Sequence, residues 1–327
     1  MADLYFAWWN LENLFDEENA PGRIDWLKRK LARELAGWTP AVLDAKLGQL
    51  SQVIRWMNGG QGPDLLGVCE VENEAVLAKL AARIAADGGR GYALAHRDTP
   101  DQRGIDVAFL YDPQLFDHAE IFSHFVVRRT GTRDLLQVNF THRPSGTPFA
   151  VIGNHWPSRS GGQYESEPYR MTAGETLGYW HGRIREERGV AFPVLAMGDF
   201  NDEPIDRSLR EYAIAINARL RVENADRPTF WNLAASVEAA GVGTYYFNND
   251  PNMLDQMLVN RSIIRGEAGL KLALDAAGQP RFAIERFPAM VKAGTYGVPR
   301  KFGRPSEAGF DPTGYADHYP VSVVLQA

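Results

Sequence analysis

The sequence predicts an α/β protein with a sheet-on-sheet core and helices on the outside. Helical and strand patterns alternate in the N-terminal part and strands dominate afterwards, a mixture that suits two packed sheets with flanking helices. No stretch of the 327 residues has the composition of a linker, and no fixed-period repeat occurs. Residues 1–327 are therefore expected to form one large domain. At 45% hydrophobic and 23% charged residues, the composition is that of a folded chain.

The elements follow in order. Residues 4–9 read as a buried strand that runs into Asn10-Leu11-Glu12-Asn13. Ile24, Leu27, Leu31 and Leu35 recur at helical spacing and predict a helix over 23–36. Thr39-Pro40 places an N-cap before a proline at the first helical position. The helix it starts carries Leu43, Leu47, Leu50, Ile54 and Met57 and stops at Asn58-Gly59-Gly60. A short apolar strand over 65–69 delivers Glu70, and a helix over about 74–86 follows, capped by Asn73. Residues 105–111 form a strand closed by Asp112-Pro113. Residues 121–128 and 134–142 are expected to pair across Thr130-Gly131-Thr132, and 149–153 delivers Asn154-His155. A polar loop over 157–168 precedes Thr172 and Glu175, whose spacing is that of a capping box. The helix they open carries Leu177, Trp180 and Ile184. Residues 192–197 end in Gly198-Asp199-Phe200-Asn201, and 254–259 and 321–325 are the last strands. The stretch 260–310 is expected to be irregular.

Charge and cysteine content exclude some functions. Lys and Arg number 35 against 41 Asp and Glu, a net charge of −6. That argues against a protein held on nucleic acid by bulk charge, while leaving local basic contacts and metal-bridged phosphate open. A single cysteine, Cys69, rules out an intrachain disulfide or a Cys-rich zinc site. No apolar run approaches the roughly 18 residues of a membrane span. The N-terminus lacks the basic region and cleavage site of a secretory leader. The expected compartment is the cytoplasm, unless a leader has been removed and the protein is secreted.

The chemistry sits at strand ends. Asn10, Glu70, Asn154-His155, Asp199-x-Asn201, Asp255 and Asp317-His318 each follow or lie within a run that should be buried. Polar residues at the end of a buried strand lie at a sheet rim, where sites are commonly built. Asp199 and Asn201 are two apart, so in extended chain they point the same way. Taken singly, each has a plain reading. Asn10 is a turn residue, Glu70 is a plausible metal ligand or base with Glu72 a solvated neighbour, and His155 is a structural histidine. Gly198 to Asp202 is an Asx-rich turn, Asp255 a turn acid, and Asp317-His318 a strand-entry pair. Their joint order and strand context is far more specific than any one of them.

These pieces resemble the endonuclease/exonuclease/phosphatase superfamily of metal-dependent phosphodiesterases, the group of DNase I. The matching segments are Trp9-Asn10-Leu11-Glu12-Asn13, Leu66-Gly67-Val68-Cys69-Glu70-Val71-Glu72-Asn73, Arg103-Gly104-Ile105-Asp106-Val107-Ala108, Gly153-Asn154-His155-Trp156-Pro157-Ser158, Gly198-Asp199-Phe200-Asn201, Leu254-Asp255-Gln256-Met257-Leu258-Val259 and Ala316-Asp317-His318-Tyr319-Pro320-Val321. They span nearly the whole chain. The resemblance implies a DNase I-like four-layer sandwich, two mixed sheets face to face with helices on both outer sides and the site at one rim. It implies that Asn10, Glu70 and Asp317 hold Mg²⁺ or Mn²⁺, whose preference for oxygen ligands this set suits. It implies that Asp199 positions or deprotonates the attacking water and that Asn201 fixes water and phosphate. His318, oriented by Asp255, would donate to the phosphate. His155 would donate to the phosphate from the opposite side or assist the leaving group, oriented by Asp106 or Arg103.

Substrate is carried by loops on such a scaffold. The candidate phosphate contacts are Asn154, Ser158, Arg159 and Arg170, against the plain reading of a solvated polar loop. Trp156, Tyr164, Tyr169, Tyr245, Tyr246 and Phe247 could stack on bases, although more of them are expected to pack. The stretch 260–310, with Arg300, Lys301 and Arg304 just before the Asp317-His318 strand, is expected to fold over the site as a specificity element. The first reading is a metal-dependent nuclease, because the segments 9–15, 154–158 and 254–259 resemble bacterial members described that way. The alternative is a phosphatase or phosphodiesterase acting on a small or lipid phosphate ester. An inactive binding module comes third, because every matched polar position is filled by a competent residue. No protein partner is indicated.

Overall fold

The computed structural model describes residues 2–238 and 241–327. From the N-terminus, β1 (Asp3–Leu14) leads to α1 (Asp25–Leu31), α2 (Pro40–Gly60), β2 (Leu65–Val71), α3 (Glu74–Ala86), β3 (Ala93–His96) and β4 (Asp106–Tyr111). Next come β5 (Phe116–His124), β6 (Leu135–His142), β7 (Thr147–His155), the long α4 (Gln163–Arg188) and β8 (Val194–Asp199). Shorter pieces follow: β9 (Ala215–Ile216), α5 (Arg219–Glu223), β10 (Phe230–Asn232), α6 (Ala235–Glu238), β11 (Tyr245–Phe247) and β12 (Asp250–Asn252). The chain ends with β13 (Asp255–Asn260), α7 (Arg261–Arg265), β14 (Lys271–Leu272), β15 (Phe282–Ile284) and β16 (Val321–Gln326).

Among the described residues the strands form two seven-stranded sheets and a separate two-stranded hairpin, β11-β12. One runs β14-β16-β1-β2-β4-β3 with β15 also on β16; the other runs β5-β6-β7-β8-β13-β10-β9. Both are mixed. β1 is parallel to β2 and antiparallel to β16, and β8 is parallel to β7 and antiparallel to β13. Side chains alternate across each strand as the pleat requires. In β1, Phe6 and Trp8 enter the cluster between the sheets, where they meet Val138, Phe149, Leu195 and Met257. Ala7, Trp9 and Leu11 face outward, where α2 and α3 cover them with Leu43, Leu47, Leu50, Val76 and Leu80. On the far side, Ala173, Leu177 and Ile184 of α4 cover Ala150, Ile152 and Ala196. Each of these buried large apolar side chains contributes roughly 1.5–3 kcal/mol relative to exposure. The four layers are those the sequence predicts.

Element by element, several expectations hold. Thr39 caps α2 by accepting from Val42 N, Asn73 caps α3 by accepting from Val76 N, and α2 breaks where Asn58 and Gly59 turn left-handed. Three do not. The helix expected over 23–36 is only Asp25–Leu31, because the chain turns after it to set Leu35 and Trp38 against Phe15 and Phe302. The pair expected over 121–128 and 134–142 is Phe116–His124 with Leu135–His142. Residues 125–134 leave the sheet because Val126 turns under α4 and Arg133 reaches Asp101 at 3.1 Å. The capping box at Thr172 and Glu175 does not form. α4 starts at Gln163, so half of the expected polar loop is helix, and the Thr172 hydroxyl donates to Pro168 O inside it. Gly162, at φ 101°, supplies the backbone turn into α4 that a side chain would strain. Among the described residues no helix is long and apolar enough to cross a membrane.

All the strand ends flagged in the sequence fall on one rim. β1 and β2 run parallel toward it, as do β7 and β8, while β13 and β16 start from it. Away from that rim, His181 of α4 is buried with its ring stacked on Phe230, centroids 3.9 Å apart. Burial, with Arg185 adding to it, pushes its pKa down to about 3. The unfolded chain takes up that proton near pH 6.5. The stabilisation from a neutral buried imidazole is therefore complete above that pH and is lost as pH falls toward 3. The slope is about 1.4 kcal/mol per pH unit for one proton. In urea unfolding measured between pH 7 and pH 4, His181→Phe is expected to flatten the acid decline by about this slope. An identical decline in both proteins would show that His181 is not held neutral.

Candidate active site

Bulges set the first sheet's contribution. In β1 the ladder with β2 slips between Asn10 and Leu14, and Glu12 and Asn13 take left-handed φ values of 53° and 55°. In β2 it slips against β4 between Cys69 and Val71, with Glu70 left-handed at φ 63°. A bulge re-aims a side chain next to a site. Here the slips bring Asn10 and Glu70 to one cleft together with Asp317 and His318 ahead of β16. The second sheet supplies His155, Asp199 and Asn201, the last also left-handed at φ 52°. The cleft measures about 600 Å³, with Ser158 and Arg159 on one wall and Tyr245 and Phe247 on another.

His318 is held from behind. Its Nδ1 lies 2.7 Å from Asp255 Oδ2, and the other oxygen of Asp255 accepts from Trp8 Nε1 at 3.1 Å. Trp9 Nε1 donates to His318 O at 2.9 Å, and the Tyr245 ring lies over the imidazole at 4.8 Å. Burial alone would lower its pKa, but Asp255, Asp199 and Asp317 hold it well above the usual histidine range. His155 goes the other way. Burial, then Arg133, Arg103 and His318, push it well below that range, and its Nδ1 has no hydrogen-bond partner among the described residues. Asp199 stands between the two rings, with Oδ2 3.8 Å from His155 Nε2 and 4.0 Å from His318 Nε2. That oxygen accepts from Asn10 Nδ2 at 3.1 Å, and Oδ1 accepts from Asn201 N at 3.0 Å. Burial pushes the Asp199 carboxyl up to about 7 against the pull of His318. A protonated and a neutral imidazole thus flank one carboxylate of raised pKa, the kind of split that separates acid and base roles.

The residues expected to take a cation fit one. Asn10 Oδ1 accepts a single bond from Glu12 N and, as a carbonyl oxygen, keeps a second lone pair. Glu70 Oε2 accepts from Asn13 N, while Oε1 has Arg103 and His155 only at 3.8 Å. Asp317 has no hydrogen-bond partner among the described residues, and burial and the Glu70 charge raise its pKa. An all-oxygen set short of donors suits a hard divalent cation.

Four expectations change. Asn154 does not reach the cleft. It is fully buried, its Nδ2 donates to Ile152 O and Met197 O, and its Oδ1 accepts from Trp156 Nε1. Gly198 lies against it, where any Cβ would approach Asn154 Cβ to 2.5 Å. Arg170 is also fully buried, 2.7 Å from Asp202, and supports the loop after Asp199 from beneath. Asp106 does not orient His155, because it is taken up by His96 at 3.1 Å and by Thr99. Arg300, Lys301 and Arg304 do not line the cleft. Arg300 pairs with Asp311, and Arg304 pairs with Glu34 and Glu307. Asp255 lies behind the cleft and acts on it through His318. Arg159 is on the wall, but its guanidinium already serves Asn201 O, Asn252, Asp202 and Asp206.

Arg103 was named only as a partner of His155, and Tyr245 and Phe247 only as stacking candidates, yet all three line the cleft; Asn252, also on its wall, and Lys46 were passed over altogether. Only Lys46 left a signal: a charge between Leu43 and Leu50 on an otherwise apolar helix face.

The profile of the endonuclease/exonuclease/phosphatase family matches residues 5–327. No curated protein matches the chain. Among solved structures, a family protein from Bacteroides thetaiotaomicron is similar at 16% identity and TM-score 0.56, covering 99% of this chain and 97% of its own. A mannosyl-6-phosphatase from the same organism has 16% identity and TM-score 0.56 over 99% and 100% of the two chains. A humanized D. rerio TDP2 has 12% identity and TM-score 0.57 over 99% of each. At such identities these likenesses speak for the fold. The profile, running from β1 to the last residue, makes this chain a member of the endonuclease/exonuclease/phosphatase family.

Proposed function

We propose that the protein is a Mg²⁺- or Mn²⁺-dependent phosphoester hydrolase that cleaves phosphodiester bonds, in the first instance those of nucleic acid. The observation that carries this is Asp199 between a charged His318 and a neutral His155, in one cleft with the oxygen set of Asn10, Glu70 and Asp317. The cation, when bound, polarises a phosphoryl oxygen and neutralises charge as the transition state forms. Asp199, pushed toward neutral pH and fixed by Asn10 and Asn201, takes the proton of the attacking water at Oδ2. His318, locked by Asp255, donates from Nε2 to a phosphate oxygen. His155 donates from Nε2 on the other side. Asn201, whose Nδ2 is committed to Trp156 O, fixes the loop and keeps Oδ1 for water.

Aromatic groups at the rim favour a strand as substrate. Tyr245 lies beside His318, and Phe247 is 63% exposed on the same hairpin, a surface on which a base can stack. One observation favours a second reading, a small phosphate ester. Arg159 is already neutralised by Asp202 and Asp206, which leaves the cleft little free positive charge for a polyanion.

Glu70→Ala, Asp199→Ala and His318→Ala are each expected to lower hydrolysis of bis-p-nitrophenyl phosphate by about 10²–10⁴-fold, with melting still cooperative. Near-full activity in Asp199→Ala would refute the mechanism. EDTA is expected to abolish turnover and Mg²⁺ or Mn²⁺ to restore it; activity indifferent to EDTA rules the scheme out. On plasmid and oligonucleotides, a nuclease should lose activity steeply with added salt. Hydrolysis of the small diester with plasmid left intact would select the small-ester reading.

A further inference from the structure

Lys46 is a buried cation that the proposed chemistry does not use. It lies on α2 among Leu43, Leu47 and Leu50, with its side chain wholly excluded from solvent. Lysine is almost never fully buried unless it is paired. Its Nζ donates to Tyr315 O at 2.8 Å, lies 3.7 Å from Glu12 Oε2 and stands 5.0 Å above the Phe302 ring. Glu12 in turn accepts from the backbone N–H of Phe302 at 2.9 Å and of Gly303 at 3.1 Å. This pair therefore joins three pieces of chain. They are β1 two residues past Asn10, the helix α2, and the segment 300–315 at both ends. That segment is closed on itself by Tyr315 N donating to Arg300 O at 2.7 Å.

Asp317 comes two residues after Tyr315. No hydrogen bond holds its carboxylate among the described residues, so its place is set by the backbone on either side. Trp9 and Asp255 fix His318 on one side, and Lys46 fixes the Tyr315 carbonyl on the other. Glu12 N also donates to Asn10 Oδ1 at 3.0 Å, so the same pair reaches a second residue of the oxygen set.

We propose that Lys46 is a positioning residue for the cation site, acting through Tyr315 O and Glu12 to present Asp317 and Asn10. The proposal rests on the reading of that oxygen set as a divalent-cation site. Simple repulsion between Lys46 and a bound cation makes the opposite prediction: removing the lysine would then tighten binding.

Mn²⁺ binding to the full chain, followed by the electron paramagnetic resonance of free Mn²⁺, separates the two. Lys46→Met alone leaves Glu12 buried without its countercharge and is prone to unfold. Lys46→Met/Glu12→Gln removes both charges together. The expected result is a cooperatively melting double variant that binds Mn²⁺ about 10–100-fold more weakly, the usual effect of losing an outer partner of a metal ligand. The Mn²⁺ needed for half-maximal hydrolysis should rise in step, while turnover at saturating Mn²⁺ largely recovers. Lys46→Arg, which keeps a charge and a donor for Tyr315 O, should retain most of the affinity. Unchanged or tighter Mn²⁺ binding in the double variant overturns the proposal, as does a folded Lys46→Arg as weak as the double variant. If the parent itself binds no Mn²⁺, the cation-site reading fails instead.

Discussion

Asp255 is a carboxylate with no solvent exposure, and the site depends on how it is satisfied. A charge taken out of water must be met by donors of good geometry, or its desolvation dominates. Asp255 belongs to the second sheet, yet its two oxygens are met by Trp8 Nε1 and His318 Nδ1, both from the first sheet and its lead-in. Its backbone N–H goes to the Thr244 hydroxyl. The carboxylate thus fixes the separation of the two sheets where the cleft opens. The Asn10–Asp199 hydrogen bond does the same one strand away. Both bonds cross the interface, so each sheet orients the other's reactive groups.

The backbone departs from regular geometry at this same rim. Glu12, Asn13, Glu70 and Asn201 are all left-handed residues other than glycine. Such conformations persist only where the surroundings over-determine them. Here the surroundings are visible: Glu70 accepts from Asn13 N, Glu12 binds the Phe302 turn, and Asn201 is tied to Asp199 and Trp156. The side chains that hold the strained backbone are in large part those that form the site. Changing one of them alters the backbone of its neighbours as well as the chemistry.

Much of this was legible in the sequence because period and position carried it. The apolar run over 4–9 marked a buried strand, and the apolar runs that end at Glu70 and Asp199, with the one that begins just after Asp317-His318, located the rim. Residues that depend on tertiary partners were not legible. Asn154 and Asn201 both follow buried strands, but one amide faces Ile152 O and Met197 O while the other faces the cleft, and spacing does not separate them. Arg170 and Arg159 looked alike as loop arginines until α4 began at Gln163 and drew Arg170 inside. The hairpin carrying Tyr245 has strands of three residues, too short for a periodic signal. The segment 300–315 offered three basic residues, and only the folded chain shows them paired with Asp311, Glu34 and Glu307 or set away from the cleft.

Cys69 lies next to Glu70 in β2, facing the space between the sheets, within reach of His155 and Asp199. Burial, and then the charges of Asp199 and Glu70, push its thiol well above the ordinary range. A thiol in that condition is inert to alkylating reagents while the rim stays closed. As the chain has no other cysteine, covalent labelling has a single target. Its rate under native conditions becomes a clock for the opening of this one place, separable from global unfolding. The residue that takes no part in the chemistry thereby supplies a built-in reporter of how tightly the two sheets are closed around it.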